Sequence, residues 1–356
     1  MNEAKNSSYK LKEGYFDPRQ VLTEDDLRSI FSLIYSSRSK KTTSYKYAFI
    51  NAILSNFANV DRTLSLSFNT VFYTFSESYW NIIVKFQIKP VRVENGAKIY
   101  TIIDECSKKL DSNEPIPFDS LSSDNIKAVV KSVETDAKKY VIWALFGDSK
   151  CTFYSFRKKE KIIRLNPVVY QYLIKNKTFI EKINYLEWTR FLLEKELDEG
   201  SPKNIIEALT LSTKRSDLSS FQKILYETFN EHRCFYCWKE LKDSEVHVDH
   251  FIPWSFIKDD RLWNFVLSCP LCNESKNDKL ASTEQLQRLV KRNEEIISTQ
   301  KSGSILINTN EYDNTTLMRF YHIAKMNGFE LWEEGNSKWS FAVLVFLICI
   351  SISNVL

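Results

Sequence analysis

The sequence predicts an α+β protein: a mainly helical N-terminal domain, then a small C-terminal module of two strands and a helix framed by cysteines. Three observations carry this. Glycine is scarce, with seven in 356 residues and none between Gly200 and Gly303, which disfavours a glycine-turned all-β architecture. Apolar residues recur at helical spacing through most of the first 200 positions. Two C-x-x-C pairs then bracket a segment of strand character. At 43% apolar and 26% charged residues, the chain has ample material for a core.

Taken in order, residues 1 to about 20 read as a polar lead-in. Thr23, followed by Glu24, Asp25 and Asp26, is a helix start with acidic residues at the positive end of the dipole. Leu27, Ile30, Phe31 and Ile34 then keep the helical period. Further helical patterns cover Tyr45–Phe57, Asn69–Phe86, Ala97–Leu110 and Asn125–Leu145, with Trp80, Trp143 and Trp188 expected in the core. Phe153–Phe156 and Lys161–Leu165 predict a β-hairpin around the charged turn Arg157–Glu160. A helical pattern resumes through Val168–Leu197, and Gly200, Ser201 and Pro202 then punctuate the chain. This gives a helical domain over 1–200, a module over 201–302 with its core at 233–280, and a C-terminal helix with an apolar tail over 303–356. The run Phe341–Ile352 is shorter than the roughly 18–20 residues of a spanning helix, and its β-branched content suits a buried strand. A membrane-associating tail is the alternative, and no membrane partner is expected.

The formal charge is +4, but residues 201–301 hold 15 basic and 15 acidic side chains. An electrostatic grip on a polyanion therefore belongs mostly to the N-terminal half. Arg38, Lys40, Lys41 and Lys46 form an acid-free stretch suited to phosphate contacts, and the 157–164 cluster is a weaker version. The first thirty residues are polar and show no signal peptide. Paired thiols then read as metal ligands in a reducing, cytoplasmic setting.

Cys234-Phe-Tyr-Cys237 and Cys269-Pro-Leu-Cys272 are separated by 31 residues. Two such knuckles can present four thiolates to one tetrahedral Zn²⁺, and four protein ligands leave no open position, so that ion is structural. Between them runs Val246-His-Val-Asp-His-Phe-Ile-Pro253, a short strand ending at a proline. Asp249 offers a hard oxygen ligand for Mg²⁺ or Mn²⁺, and His250 can take a proton from water near neutral pH. Adjacent strand residues point to opposite faces, so both serve one site only if the strand ends or distorts there. His247 shares the face of Asp249 and is read as a hydrogen-bonded strand residue. His232 is read as structural or exposed, and His322 as a core-edge histidine. Trp263–Ser268 is the second strand, and Cys269–Lys279 a helix with Pro270 in its first turn and Asn273 close behind.

This strand–loop–strand–helix segment resembles the HNH, or His-metal finger, endonucleases, most closely the type with two flanking C-x-x-C pairs. Val248–Asp260 is also similar to the HNH domain of RNA-guided CRISPR effector nucleases, and the spacing to Asn264, Asn273 and Lys276 fits that domain without a gap. The resemblance is confined to about 233–280. It implies a ββα-metal fold in which His250 is the general base, while Asp249 and Asn273 ligate one Mg²⁺ or Mn²⁺. Asn264 would pin the inter-strand loop, and Lys276 would meet the scissile phosphate. DNA, as duplex, is the implied partner, with a protein partner possible through the helical domain. RNA guidance is not implied. The competing expectations are a zinc-stabilised nucleic-acid-binding or scaffold protein without turnover, and a nuclease toxin.

Overall fold

The computed structural model describes residues 12–36, 43–88, 98–110, 114–196, 202–210, 218–229, 231–242, 245–300, 307–308 and 312–333. Arg38, Lys40, Lys41 and the run Phe341–Ile352 lie outside them. The chain divides into two units, Met1–Arg215 and Ser216–Leu356.

In the first unit, four short strands form an antiparallel sheet in the order β1-β3-β4-β2: β1 (Glu13–Gly14), β2 (Ser65–Ser67), β3 (Tyr154–Arg157) and β4 (Ile162–Leu165). The β3–β4 hairpin is the expected one, with Phe156 opposite Ile163. The outer strands are unexpected, because two or three residues carry no alternation to read. Gly14 is required there: a Cβ would come within 2.6 Å of the Phe156 ring.

Helix α1 (Glu24–Tyr35) starts where Thr23 predicts. The Thr23 hydroxyl accepts the Asp26 N–H, and the Asp26 carboxylate accepts the Thr23 N–H. Its buried stripe is Leu27, Ile30, Phe31 and Ile34. There follow α2 (Tyr45–Ser55), α3 (Phe68–Trp80) with a π-helical end at Asn81–Lys85, α4 (Lys98–Lys108) and the long α5 (Ser123–Asp148). The helical pattern after Pro167 is two helices, α6 (Pro167–Lys175) and α7 (Lys177–Phe191), because the Asn176 side chain caps the Tyr172 carbonyl at 2.9 Å. Next comes α8 (Pro202–Thr210), whose Ile205, Ala208 and Leu209 are buried and which stays with this unit. Trp80 and Trp188 are fully buried with Phe49, Phe72, Phe75 and Tyr154, and Trp143 is half-buried. Lys46 is a correction: it is buried at the start of α2 and ion-paired with Asp148, so it presents no charge to a phosphate.

The second unit holds α9 (Ser219–Lys223) with its π-helical end Ile224–Thr228, then β5 (His247–His250), α10 (Trp254–Ile257), β6 (Phe265–Ser268) and α11 (Pro270–Lys276). Helices α12 (Thr283–Thr299) and α13 (Asn314–Met326) follow and pack on each other. Strands β5 and β6 pair antiparallel, His247 opposite Ser268 and His250 opposite Phe265. Trp263 stacks between Tyr312 and Phe320, at ring separations of 5.4 and 6.1 Å, and so seats the strand loop on the C-terminal helices.

Candidate active site and metal sites

The four cysteines meet. Their Sγ atoms all lie within 4.8 Å of one another, and Cys237 Sγ is 3.8 Å from Cys269 Sγ. That is far beyond a disulfide bond, yet it matches the roughly 3.8 Å separation of two thiolates bound tetrahedrally at about 2.3 Å from one zinc. Burial pushes the Cys234 thiol up, and the backbone N–H groups of Cys237, Cys269 and Tyr236, which point at its sulfur, oppose that shift. The arrangement is compatible with zinc. It also ties the first knuckle to β6 through the Phe235 N–H, which donates to the Leu267 carbonyl at 2.8 Å.

Asn264 lies in the loop between the strands. It is fully buried, its Oδ1 accepts the Ile252 N–H, and its Nδ2 donates to the Ile252 carbonyl, both at 2.9 Å. Its own carbonyl accepts the Phe251 N–H at 2.8 Å. Three hydrogen bonds from one asparagine fix the chain immediately after His250.

Strand β5 ends at His250, and Asp249 and His250 have different neighbours. The His250 side chain is 6% exposed, lies edge-on to Phe265 at 4.6 Å and bonds the Asp260 carboxylate through Nε2 at 2.8 Å. With Nε2–H donating, Nδ1 keeps its lone pair. Asp260 carried no expectation of a role. The signal was present in Asp259-Asp260, ten residues after His250, but only the folded loop shows which carboxylate turns inward.

Asp249 is buried and neutralised. Its Oδ2 accepts from the Tyr236 hydroxyl at 2.5 Å and is ion-paired with Lys276 at 2.9 Å. Burial, followed by the adjacent Asp249 charge, raises the Tyr236 phenol well above its ordinary value, so Tyr236 is a pure donor to the carboxylate. Lys276 does not reach out to a phosphate. It is 0% exposed, and its ammonium bridges the Asp249 carboxylate and the His250 carbonyl, the latter at 2.8 Å. The reason is register. Asn273 and Lys276 are one turn apart on α11, and His247 and Asp249 are two apart on the strand face against which α11 packs, so the residues pair in order. Asn273 accordingly meets His247, Nδ2 to Nδ1 at 3.1 Å.

The His247 imidazole and the Asp249 carboxylate on one β5 face, with the Asn273 amide of α11 beside His247, are a donor set suited to Mg²⁺ or Mn²⁺. His247 joins Asn273 more directly than Asp249 does, and Asp249 brings a charge already balanced by Lys276. Helix α12 braces the finger from behind. Arg292 donates to the Phe265 carbonyl at 2.7 Å and pairs with Glu231, while Asn293 donates to the Trp263 carbonyl at 2.8 Å. Those residues lie beyond any local motif. His232 packs edge-on to Tyr226 at 4.3 Å, and His322 is exposed on α13 rather than at a core edge.

A model of the HNH endonuclease family matches residues 234–282, the segment just described. No curated protein and no solved structure matches the chain. The finger thus carries an HNH endonuclease domain, a class whose activity is on nucleic acid and uses divalent metal, and the match is silent about the remaining six-sevenths of the sequence.

Proposed function

We propose that this protein is a metal-dependent HNH endonuclease that hydrolyses DNA phosphodiester bonds. The observation that carries the reading is the His250 environment: a buried imidazole, bonded through Nε2 to Asp260 and followed by the Asn264-pinned loop. With Nε2–H donating to that carboxylate, Nδ1 is the nitrogen that takes a proton. His250 is the general base that takes the proton of the attacking water, and Asp260 holds its tautomer and orientation. Asp249 and Asn273, with His247 adjoining, are the groups that would hold Mg²⁺ or Mn²⁺. When bound, that ion neutralises charge on the phosphate and on the leaving 3′ oxygen. Lys276 positions the Asp249 carboxylate and the His250 backbone instead of contacting substrate. Cys234, Cys237, Cys269 and Cys272 hold a structural Zn²⁺.

A role in restriction, phage defence or a mobile element suits such a chain, acting in the cytoplasm, with the N-terminal unit recognising duplex DNA or a partner protein. The test is supercoiled plasmid incubated with Mg²⁺ or Mn²⁺, beside a His250→Ala control: nicking or linearisation only by the parent is expected, and cleavage by both would remove the assignment. One observation favours a second reading, a nucleic-acid-binding finger without turnover: the Asp249 carboxylate is already ion-paired with Lys276. Plasmid binding with no cleavage at any metal concentration would select it.

A further inference from the structure

Trp238 follows the first cysteine pair and is 56% exposed. Its backbone is left-handed, with φ at 63°, a conformation in which a bulky side chain is strained. The knuckle demands that turn: the Trp238 N–H donates to the Cys234 carbonyl at 3.0 Å, and the Cys234 N–H to the Lys239 carbonyl at 2.8 Å. Glycine would satisfy it without strain. The sequence instead puts its largest residue type there, and burial does not compensate, because most of the side chain stays in solvent. Strain retained at an exposed aromatic points to use of the ring.

The ring is also held. The Arg288 guanidinium of α12 lies 4.7 Å from the Trp238 ring centroid and 4.3 Å from that of Phe235, and Arg288 donates to the Phe235 carbonyl. A flat ring fixed by a cation, with more than half of the residue open, has already lost the rotamer freedom that binding would otherwise remove. Leu271, 74% exposed, adjoins Cys272 on the other knuckle, so both exposed apolar side chains rim the same four-thiol cluster.

We propose that Trp238, backed by Arg288, is a stacking platform for an unpaired nucleobase of the nucleic acid on which the finger acts, an inference that rests on the nuclease reading above. A protein partner would need about 800 Å² of its surface covered, far more than two apolar side chains supply. One ring with a cation beside it suffices for a base. Bases inside a duplex already stack on one another, so the platform engages single-stranded, frayed or looped substrate.

The test uses the full chain carrying His250→Ala, with anisotropy of a fluorescein-labelled single strand and of the corresponding blunt duplex at one salt concentration. Adding Trp238→Gly should weaken single-strand binding about ten- to a hundredfold, the range of lost base–aromatic stacking, while duplex affinity holds. The melting temperature should not fall, since glycine relieves the backbone. Trp238→Phe, which keeps a ring, should retain most of the affinity. Unchanged single-strand binding by Trp238→Gly overturns the proposal. Equal losses on both substrates, or a loss by Trp238→Phe as large as that of Trp238→Gly, overturn it as well. A His250→Ala parent that binds neither substrate overturns it together with the nuclease reading, whereas intact parental binding keeps the two failures apart.

Discussion

An imidazole that is to accept a proton must be held in the right tautomer, and the Asp260 carboxylate at 2.8 Å from Nε2 supplies that restraint for His250. Removing the proposed base, His250→Ala, should lower cleavage by about 10²–10⁴-fold with little change in DNA affinity. Asp260→Asn keeps the size of the side chain but not its demand for an N–H donor. Its kcat should fall with KM nearly unchanged, and a variant whose KM alone moves would place Asp260 in substrate binding. The same scale separates Lys276 from the phosphate-contact role that the sequence suggested. In Lys276→Met, the buried Asp249 loses its counter-charge, and breaking such a pair costs about 3–5 kcal/mol. The finger should therefore melt early, and equilibrium unfolding will show it. A fully stable Lys276→Met protein with weakened DNA affinity would return Lys276 to the substrate. The sequence pointed to Asp249, His250, Asn273 and Lys276 as one site, yet it gave neither their pairing nor a role for Asp260. Which of Asp249, His247 and the Asp260 carboxylate faces which partner depends on strand register and on how the loop turns, and neither is written in local spacing.

Among the elements, those with a strong period or a cap were legible: α1 from its Thr23 box, the β3–β4 hairpin from its alternation, and the ββα segment from its cysteines and proline. The two-residue β1 and the brace from α12 were not, since a backbone pairing and an arginine aimed at the Phe265 carbonyl leave no mark in the neighbouring sequence. The knuckles bring the chain before β5 to the start of α11, so the proposed zinc site is the element on which the finger's order would depend. Cys272→Ser should lose zinc by elemental analysis and lose cleavage through local unfolding. Added Mg²⁺ should not restore it, because a hard cation does not replace zinc among thiolates. A zinc-free protein that remains folded and active would show these thiols doing something else. Helix α13 gives a separate check, with a pH sign. The Thr315 hydroxyl first, opposed by burial, and then Thr316 and the two backbone N–H groups hold the Asp313 carboxyl below its usual range. A depressed folded value means that the cap stabilises above the unfolded value, about 3.9, and is lost as pH falls through the folded one. Asp313→Ala should thus cost about 1 kcal/mol at neutral pH and progressively less in acid, as read from paired denaturation curves.

Across the whole molecule, charge and chemistry are divided between the units. Residues 1–215 hold 34 basic and 26 acidic side chains, whereas 216–356 hold 15 and 19. The proposed zinc on four thiolates would add further negative charge to the second unit, so a polyanion gains little from approaching the finger by charge alone. The unit that carries the HNH signature is not the one that supplies long-range attraction, and this division was legible from composition before any fold was known. Within the first unit, many cations are already engaged. Arg157 pairs with Glu160, Lys161 with Glu134, and Arg164 donates to the Thr63 carbonyl. Lys158 differs, because burial, and then the neighbouring Lys138, lowers its ammonium below the ordinary value. A bound phosphate would relieve that crowding of like charge, and exposed Lys159 sits beside it on the same turn. Lys158→Gln with Lys159→Gln should weaken binding uniformly across DNA sequences and reduce the slope of log K against log[salt], by about 0.9 for each duplex phosphate that is no longer neutralised. Cleavage of DNA already bound at low salt should keep its rate, since neither lysine belongs to the finger. The salt titration decides the matter: an unchanged slope would move the grip off this turn, while a reduced slope with an unchanged single-turnover rate would locate recognition and chemistry in separate units.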